Sequence, residues 1–168
     1  MDLPISNVLR VVIGETPAKR VGGDRVVQIE TNMDDLNPQF YEVVMERLFE
    51  TGALDVFLTP IQMKKSRPGT LITVLCRPET TNALSEILFS ETSTLGLRIA
   101  EMTRLCLERK WKTVETQYGP IPVKTGLSGE EVRTFAPEYE DCKATAARHR
   151  VPIKLVHDAA VAAYLADR

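Results

Sequence analysis

Apolar positions along the chain change their period several times, and each change marks an element. Val26, Val27 and Ile29 make residues 25–30 a β-rich run. Residues 31–37 are polar and predict a loop, in which Asn37 is placed to cap a helix and Pro38 to occupy its first position. Phe40, Val44 and Leu48 then recur every four residues, with Val43 beside them. That is the stripe of an amphipathic helix, and Gly52 ends it. Leu54, Val56 and Leu58 alternate as in a half-buried strand over residues 53–60, and residues 70–76 read as a more fully buried one. Pro78 opens a second helix with Leu84, Ile87 and Leu88 on one face, and residues 97–107 return to strand-like composition. Farther on, Trp111, Thr113, Val114 and Thr116 continue a β-rich run. Tyr118-Gly119-Pro120 is a turn signal, and residues 121–124 form the return strand of a hairpin. A turn over 127–131 precedes a third short strand over 132–135. Pro137 is expected to start a helix reaching about Arg150, and Pro152 another whose Ala-rich end is strongly helical.

The order strand, helix, strand, strand, helix, strand is the ferredoxin-like βαββαβ pattern. Two helices on one face of an antiparallel sheet would bury both apolar stripes. The expected class is therefore α+β: a ferredoxin-like subdomain followed by a β-hairpin and C-terminal helices. Residues 1–24 read as a lead-in, with a strand over 7–13 and a linker over 14–23. Residues 25–104 form the first subdomain and residues 105–168 the second. Such a fold hosts many unrelated functions and decides no chemistry.

Composition narrows the chemistry by exclusion. Of 168 residues, 43% are hydrophobic and 26% charged, the balance of a folded soluble protein. A net charge of −2 carries no nucleic-acid-like basic bias, so an anion site must be a local cluster of Lys and Arg. No apolar run approaches the roughly 20 residues that span a bilayer. The first residues lack the layout of a signal peptide, and a reducing cytoplasm is expected. Cys76, Cys106 and Cys142 are far apart and odd in number, which fits neither a disulfide framework nor a CxxC clip. Cys76 lies in an apolar run and reads as a small buried hydrophobe. His149 and His157 form no HxH or HExxH pattern, so a preformed His/Cys metal site is not expected.

Four short segments carry candidate chemistry. Lys64, Lys65, Ser66 and Arg67, before Gly69, join two predicted strands. Three cations so close repel one another and gain from an anion between them. Arg67 can take phosphate bidentately, and Gly69 permits close backbone approach. The same run also reads as a solvated hairpin turn. Asn32, Asp34 and Asp35 could hold Mg²⁺ or Mn²⁺ together with phosphate and water, or could simply favour a helix N-terminus. Residues 92–98 place hydroxyls, Gly96 and Arg98 between a helix and a strand, without P-loop spacing. Arg98 is the residue there expected to face a ligand. Glu138, Glu140 and Asp141 crowd the expected first turn of a helix. Glu138 and Asp141 share a face and could bind a metal ion or a base's amino group, with Tyr139 stacking and Lys124 and Lys143 as a basic rim. Trp111 among Arg109, Lys110 and Lys112 is expected to face a core, with the lysines in water; a nucleic-acid surface is the lesser reading. No Ser-His-Asp or Cys-His constellation indicates a covalent intermediate, and no catalytic residue is assigned.

Residues 30–35, 63–69, 91–98 and 137–142, in this order and spacing, resemble the C-terminal part of the LarC family, over nearly the whole chain from about Val26. The resemblance implies a CTP-dependent nickel insertase, a cyclometallase that puts Ni²⁺ into a pyridinium bisthiocarboxylate mononucleotide to give the nickel-pincer cofactor of lactate racemase. It implies CTP and Mn²⁺ or Mg²⁺ as cofactors, and a homo-oligomer that binds neither nucleic acid nor membrane. Within it, Lys64, Lys65, Ser66, Arg67, Gly69, Arg98, Lys124 and Tyr139 are the nucleotide-binding candidates. Glu138, Asp141, Asp34 and Asp35 are the metal candidates. The family protein is longer, and its N-terminal domain is expected to be missing here, so that this part binds nucleotide without completing the insertion. A non-catalytic ligand-binding or oligomerisation module is the alternative.

Overall fold

The computed structural model describes residues 23–167; the strand expected over 7–13 and all but the last residue of the linker expected over 14–23 lie outside them. Four strands form the first sheet: β1 (Gly23–Met33), β2 (Asp55–Gln62), β3 (Pro68–Cys76) and β4 (Arg98–Leu105). Their order is β2-β3-β1-β4, and every neighbouring pair is antiparallel. Helices α1 (Phe40–Glu50) and α2 (Thr81–Glu91) provide the crossovers, so the βαββαβ topology is as expected. Side chains alternate across a strand. Val27, Ile29, Thr31 and Met33 of β1 accordingly face the helices and are buried, while Gln28, Glu30 and Asn32 face the other way. Val44 and Leu48 of α1 and Leu84 and Leu88 of α2 close the core over Ile72, Val74 and Cys76 of β3.

The end of β1 differs from expectation for a packing reason. Residues 31–33, expected in a loop, continue β1, because Thr31 and Met33 bury against the helices at 1% and 2% exposure. Helix α1 is regular from Phe40, after a turn that Asn37 closes: its side-chain Oδ1 accepts the Gln39 amide at 3.1 Å and its carbonyl accepts the Phe40 amide at 3.0 Å, so Asn37 fills the capping place expected of it. Gly52, at φ +103°, does terminate that helix in the left-handed region that glycine favours.

The second sheet has order β5-β6-β7, from β5 (Glu108–Thr116), β6 (Gly119–Ser128) and β7 (Glu131–Pro137), again antiparallel. Helices α3 (Tyr139–His149) and α4 (Ile153–Ala166) pack on one face. Val114, Ile121 and Val123 form its core with Cys142, Val156 and Ala160. Pro137 ends β7, buried, and the helix expected to start there begins at Tyr139. No helix among the described residues is long and apolar enough to cross a membrane.

Candidate functional site

Strand β1 runs straight from the core into a cleft. At its end Asn32, Asp34 and Asp35 meet the segment Ser93–Arg98 that leads into β4, around a cavity of about 350 Å³. The two walls are tied together. The hydroxyls of Thr31 and Thr94 are 2.5 Å apart, and the Thr31 hydroxyl also donates to the Gly96 carbonyl at 3.2 Å. Ser93 donates to the Asp35 carboxylate. Arg98 pairs across the strands with Glu30, donates to Asn32 Oδ1 at 2.6 Å and lies 3.5 Å from the Glu30 carboxylate. Neither Asp34 nor Asp35 caps α1, the competing explanation for their presence.

The basic run forms the hairpin loop between β2 and β3. Gln62 pairs with Pro68, and the Met63 amide donates to the Arg67 carbonyl at 2.8 Å. Lys65 and Ser66 sit at φ +60° and +58°, the left-handed region that non-glycine residues avoid. Lys64, Lys65, Ser66 and Arg67 are all exposed. Arg67 reaches Asp34 at 3.3 Å, so the loop is attached to the cleft. Gly69 serves a close approach within the fold: a Cβ there would lie 2.7 Å from both the Met33 carbonyl oxygen and the Met63 sulfur.

Three of the four candidate segments thus converge, and the fourth does not. Glu138, Tyr139 and Asp141 lie at the start of α3, beside the second sheet. The Glu138 carboxylate accepts the Trp111 indole N–H at 2.8 Å and pairs with Lys124 at 3.2 Å. The indole bond chiefly, and Lys124 after it, hold the Glu138 carboxyl below the ordinary glutamate range. Tyr139 is exposed, with the Lys143 ammonium 5.7 Å from its ring centroid. Trp111 corrects the expectation of a core-facing indole: it is 59% exposed, and Lys112 is the side chain on the helix face, with Nζ 5.8 Å from the Tyr164 ring and 2.8 Å from the Asp167 carboxylate. The sequence places Lys124 beside Glu138 but misses Trp111 as the third member, because strand register, which pairs Trp111 with Lys124, is what brings the indole to that carboxylate.

Among the described residues no three His, Cys, Asp or Glu side chains gather to hold a metal ion. The oxygen donors of Asp34 and Asp35 at one cavity fit a hard divalent ion that keeps phosphate and water in its shell, which needs only one or two protein carboxylates. They do not make an all-protein cage.

Residues 1–157 match the family model described as nickel insertion protein. The chain is 44% identical over 167 residues to a putative nickel insertion protein of Acaryochloris marina, covering 98% of this chain and 41% of that protein. It is 45% identical over 159 residues to the pyridinium-3,5-bisthiocarboxylic acid mononucleotide nickel insertion protein of Thermotoga petrophila, covering 95% and 39%. It therefore spans about two-fifths of the length of these curated relatives. Among solved structures it resembles LarC2, the C-terminal domain of a cyclometallase involved in the synthesis of the NPN cofactor of lactate racemase. That likeness has a TM-score of 0.82 and 38% identity over 85% of this chain and 99% of that one. A Methanopyrus kandleri protein shares the fold at a TM-score of 0.60 and 20% identity, covering 88% of this chain and 93% of that one. By this sequence match and this architecture together, the chain belongs to the nickel insertion protein family and corresponds to its LarC C-terminal domain.

Proposed function

We propose that this chain is the part of a nickel insertase, a cyclometallase, that binds CTP with Mn²⁺ or Mg²⁺ while Ni²⁺ is inserted as substrate into a pyridinium bisthiocarboxylate mononucleotide. The observation that carries this reading is the convergence of Asp34, Asp35 and Arg98 on one cavity, with Arg67 of the basic loop on Asp34. Arg67 and Arg98 are then the fixed cations for the triphosphate, and Lys64 and Lys65 are mobile point charges beside it. The Ser66 hydroxyl is a further donor in the same loop. Gly69 keeps the loop's base close to β1. Asp34 and Asp35, rather than Glu138 and Asp141, face the divalent ion, which would neutralise phosphate charge. Arg67 and Arg98 each already have an acidic or amide partner in the cleft, so phosphate has to displace that partner to bind them. Metal-free triphosphate is therefore expected to bind poorly, because Asp34 and Asp35 would repel it.

The assignment of cytosine as the base rests on the resemblance of the four segments to the LarC family. A cytoplasmic setting and self-association belong to the same reading, and sedimentation of the chain tests the latter. Calorimetric titration with CTP, ATP, GTP and UTP, with and without Mn²⁺, tests the whole. Binding of CTP alone, dependent on Mn²⁺ and weakened about tenfold or more in Arg67→Ala, is expected. Equal affinity for all four nucleotides removes the CTP assignment. Full affinity in both Arg67→Ala and Asp34→Asn removes this cavity as the site. Binding or self-association without turnover, even in the full-length family protein, favours the non-catalytic module.

A further inference from the structure

Among the described residues, the second sheet has a face that no helix covers. Register places Arg109, Gly126 and Thr134 in one row across it and Trp111, Lys124 and Ala136 in the next. Val114, Val123 and Phe135 point the other way, toward α3 and α4. Beside the open rows lies a cavity of about 370 Å³, walled by Leu105 at the end of β4 and Leu107 of the β4–β5 connection and reached by Arg109 and Lys124. That size falls in the range of small-molecule sites, roughly 300–1,000 Å³. Gly126 keeps the cavity's floor free of a side chain: a Cβ there would come within 2.8 Å of Thr134 and 3.0 Å of Leu107.

The tryptophan is not loosely placed. Its N–H is fixed by Glu138 at 2.8 Å, and the same carboxylate holds Lys124 at 3.2 Å. An indole with its polar edge satisfied and its body 59% exposed offers a ring face for stacking beside a positioned cation. Apolar walls, a tethered aromatic platform and two cations are complementary to a planar ring that carries acid groups, since such groups gain charge-assisted hydrogen bonds from Arg and Lys.

We propose that this open face is a second binding site, separate from the cleft at the end of β1, for a flat aromatic anion whose ring bears carboxylate or thiocarboxylate groups. The pyridinium-3,5-bisthiocarboxylic acid named for the Thermotoga petrophila relative is of that chemical class. The assignment rests on the second sheet and stands whether or not the first cleft takes CTP. It gives the chain two places, one for a phosphate chain and one for an aromatic acid.

The test uses the chain itself and pyridine-3,5-dicarboxylate as probe, followed by the emission of Trp111, the single tryptophan. Saturable quenching is expected, with the neutral 3,5-dicarboxamide binding about tenfold more weakly. Arg109→Gln, on an exposed strand position, should weaken the probe by a similar factor, and Ala136→Phe, at an exposed position lining the cavity, should abolish binding by filling it. Circular dichroism checks that both variants keep the fold. Mn²⁺ with CTP should bind without displacing the probe. Absence of saturable quenching overturns the proposal, as does unchanged affinity in both variants. Competitive displacement of the probe by CTP also overturns it, because the face would then be part of the nucleotide site. Loss of CTP binding in Arg67→Ala with the probe unaffected keeps the two readings apart.

Discussion

Two partners hold the Glu138 carboxylate, the Trp111 indole first and Lys124 second, and both favour its charged form. Its folded pKa is therefore depressed. The stability it contributes is full above the unfolded-state pKa and is lost as pH falls through the lower folded value. Trp111 reports the loss directly, because protonation removes its acceptor's charge. Acid titration of Trp111 emission should thus show a midpoint below the ordinary glutamate range, and Glu138→Gln, which keeps an acceptor but cannot titrate, should abolish that step. A midpoint within the ordinary range, or a step that persists in Glu138→Gln, would show that the carboxylate does not hold the indole. The cysteines make a second expectation at this scale. Cys76 and Cys142 are buried, and burial pushes the Cys142 thiol up, whereas Cys106 is half-exposed and lines the cavity beside β6. The thiolate is the reactive form. Brief iodoacetamide treatment of the native chain should label Cys106 alone, as read by peptide mass; equal labelling of Cys142 would contradict its burial between α3 and the second sheet.

The hairpin joining β2 and β3 concentrates the local conflicts between residue type and backbone. Lys65 and Ser66 occupy left-handed conformations at a cost of roughly 1–2 kcal/mol each. Ser66→Gly should therefore stabilise the chain by about 1 kcal/mol in urea unfolding; no gain would mean that the loop relaxes out of this geometry. Gly69→Ala should cost about 1–3 kcal/mol by the same assay, because its Cβ meets the Met33 carbonyl and the Met63 sulfur at 2.7 Å. Elements like these also show how far sequence reasoning reaches. Repeating stripes such as Val44–Leu48 and Leu84–Leu88 made the helices and their order legible, and with them the sheet topology. The polar run after Ile29 hid the end of β1, since Thr31 is buried by hydroxyl bonds to residues more than sixty positions away. Trp111 was misread because a strand's parity fixes alternation but not which set faces the helices. That choice is made by Val114 and Ile121 packing against α4. The convergence of the segments around Asp34, Arg67 and Arg98 followed from register, which composition does not carry.

Each sheet buries its own apolar cluster, and the two clusters share no residue. That separation bears on how the two proposed sites influence each other. If the sheets unfold as separate units, strain introduced in one leaves the other ordered, and coupling between a triphosphate in the first and an aromatic acid on the second passes, among the described residues, through the connection at 106–107. If they unfold together, a ligand on either stabilises both. Leu88→Ala removes a fully buried side chain from the first cluster, at a cost of about 2–5 kcal/mol. Ile121→Ala does the same to the second. Amide exchange followed by mass spectrometry should show Leu88→Ala speeding exchange in β1–β4 with β5–β7 unchanged, and Ile121→Ala the reverse. Parallel acceleration across all seven strands in either variant would make the chain one cooperative unit, and the two binding faces would then be linked through global stability rather than through the connection between them.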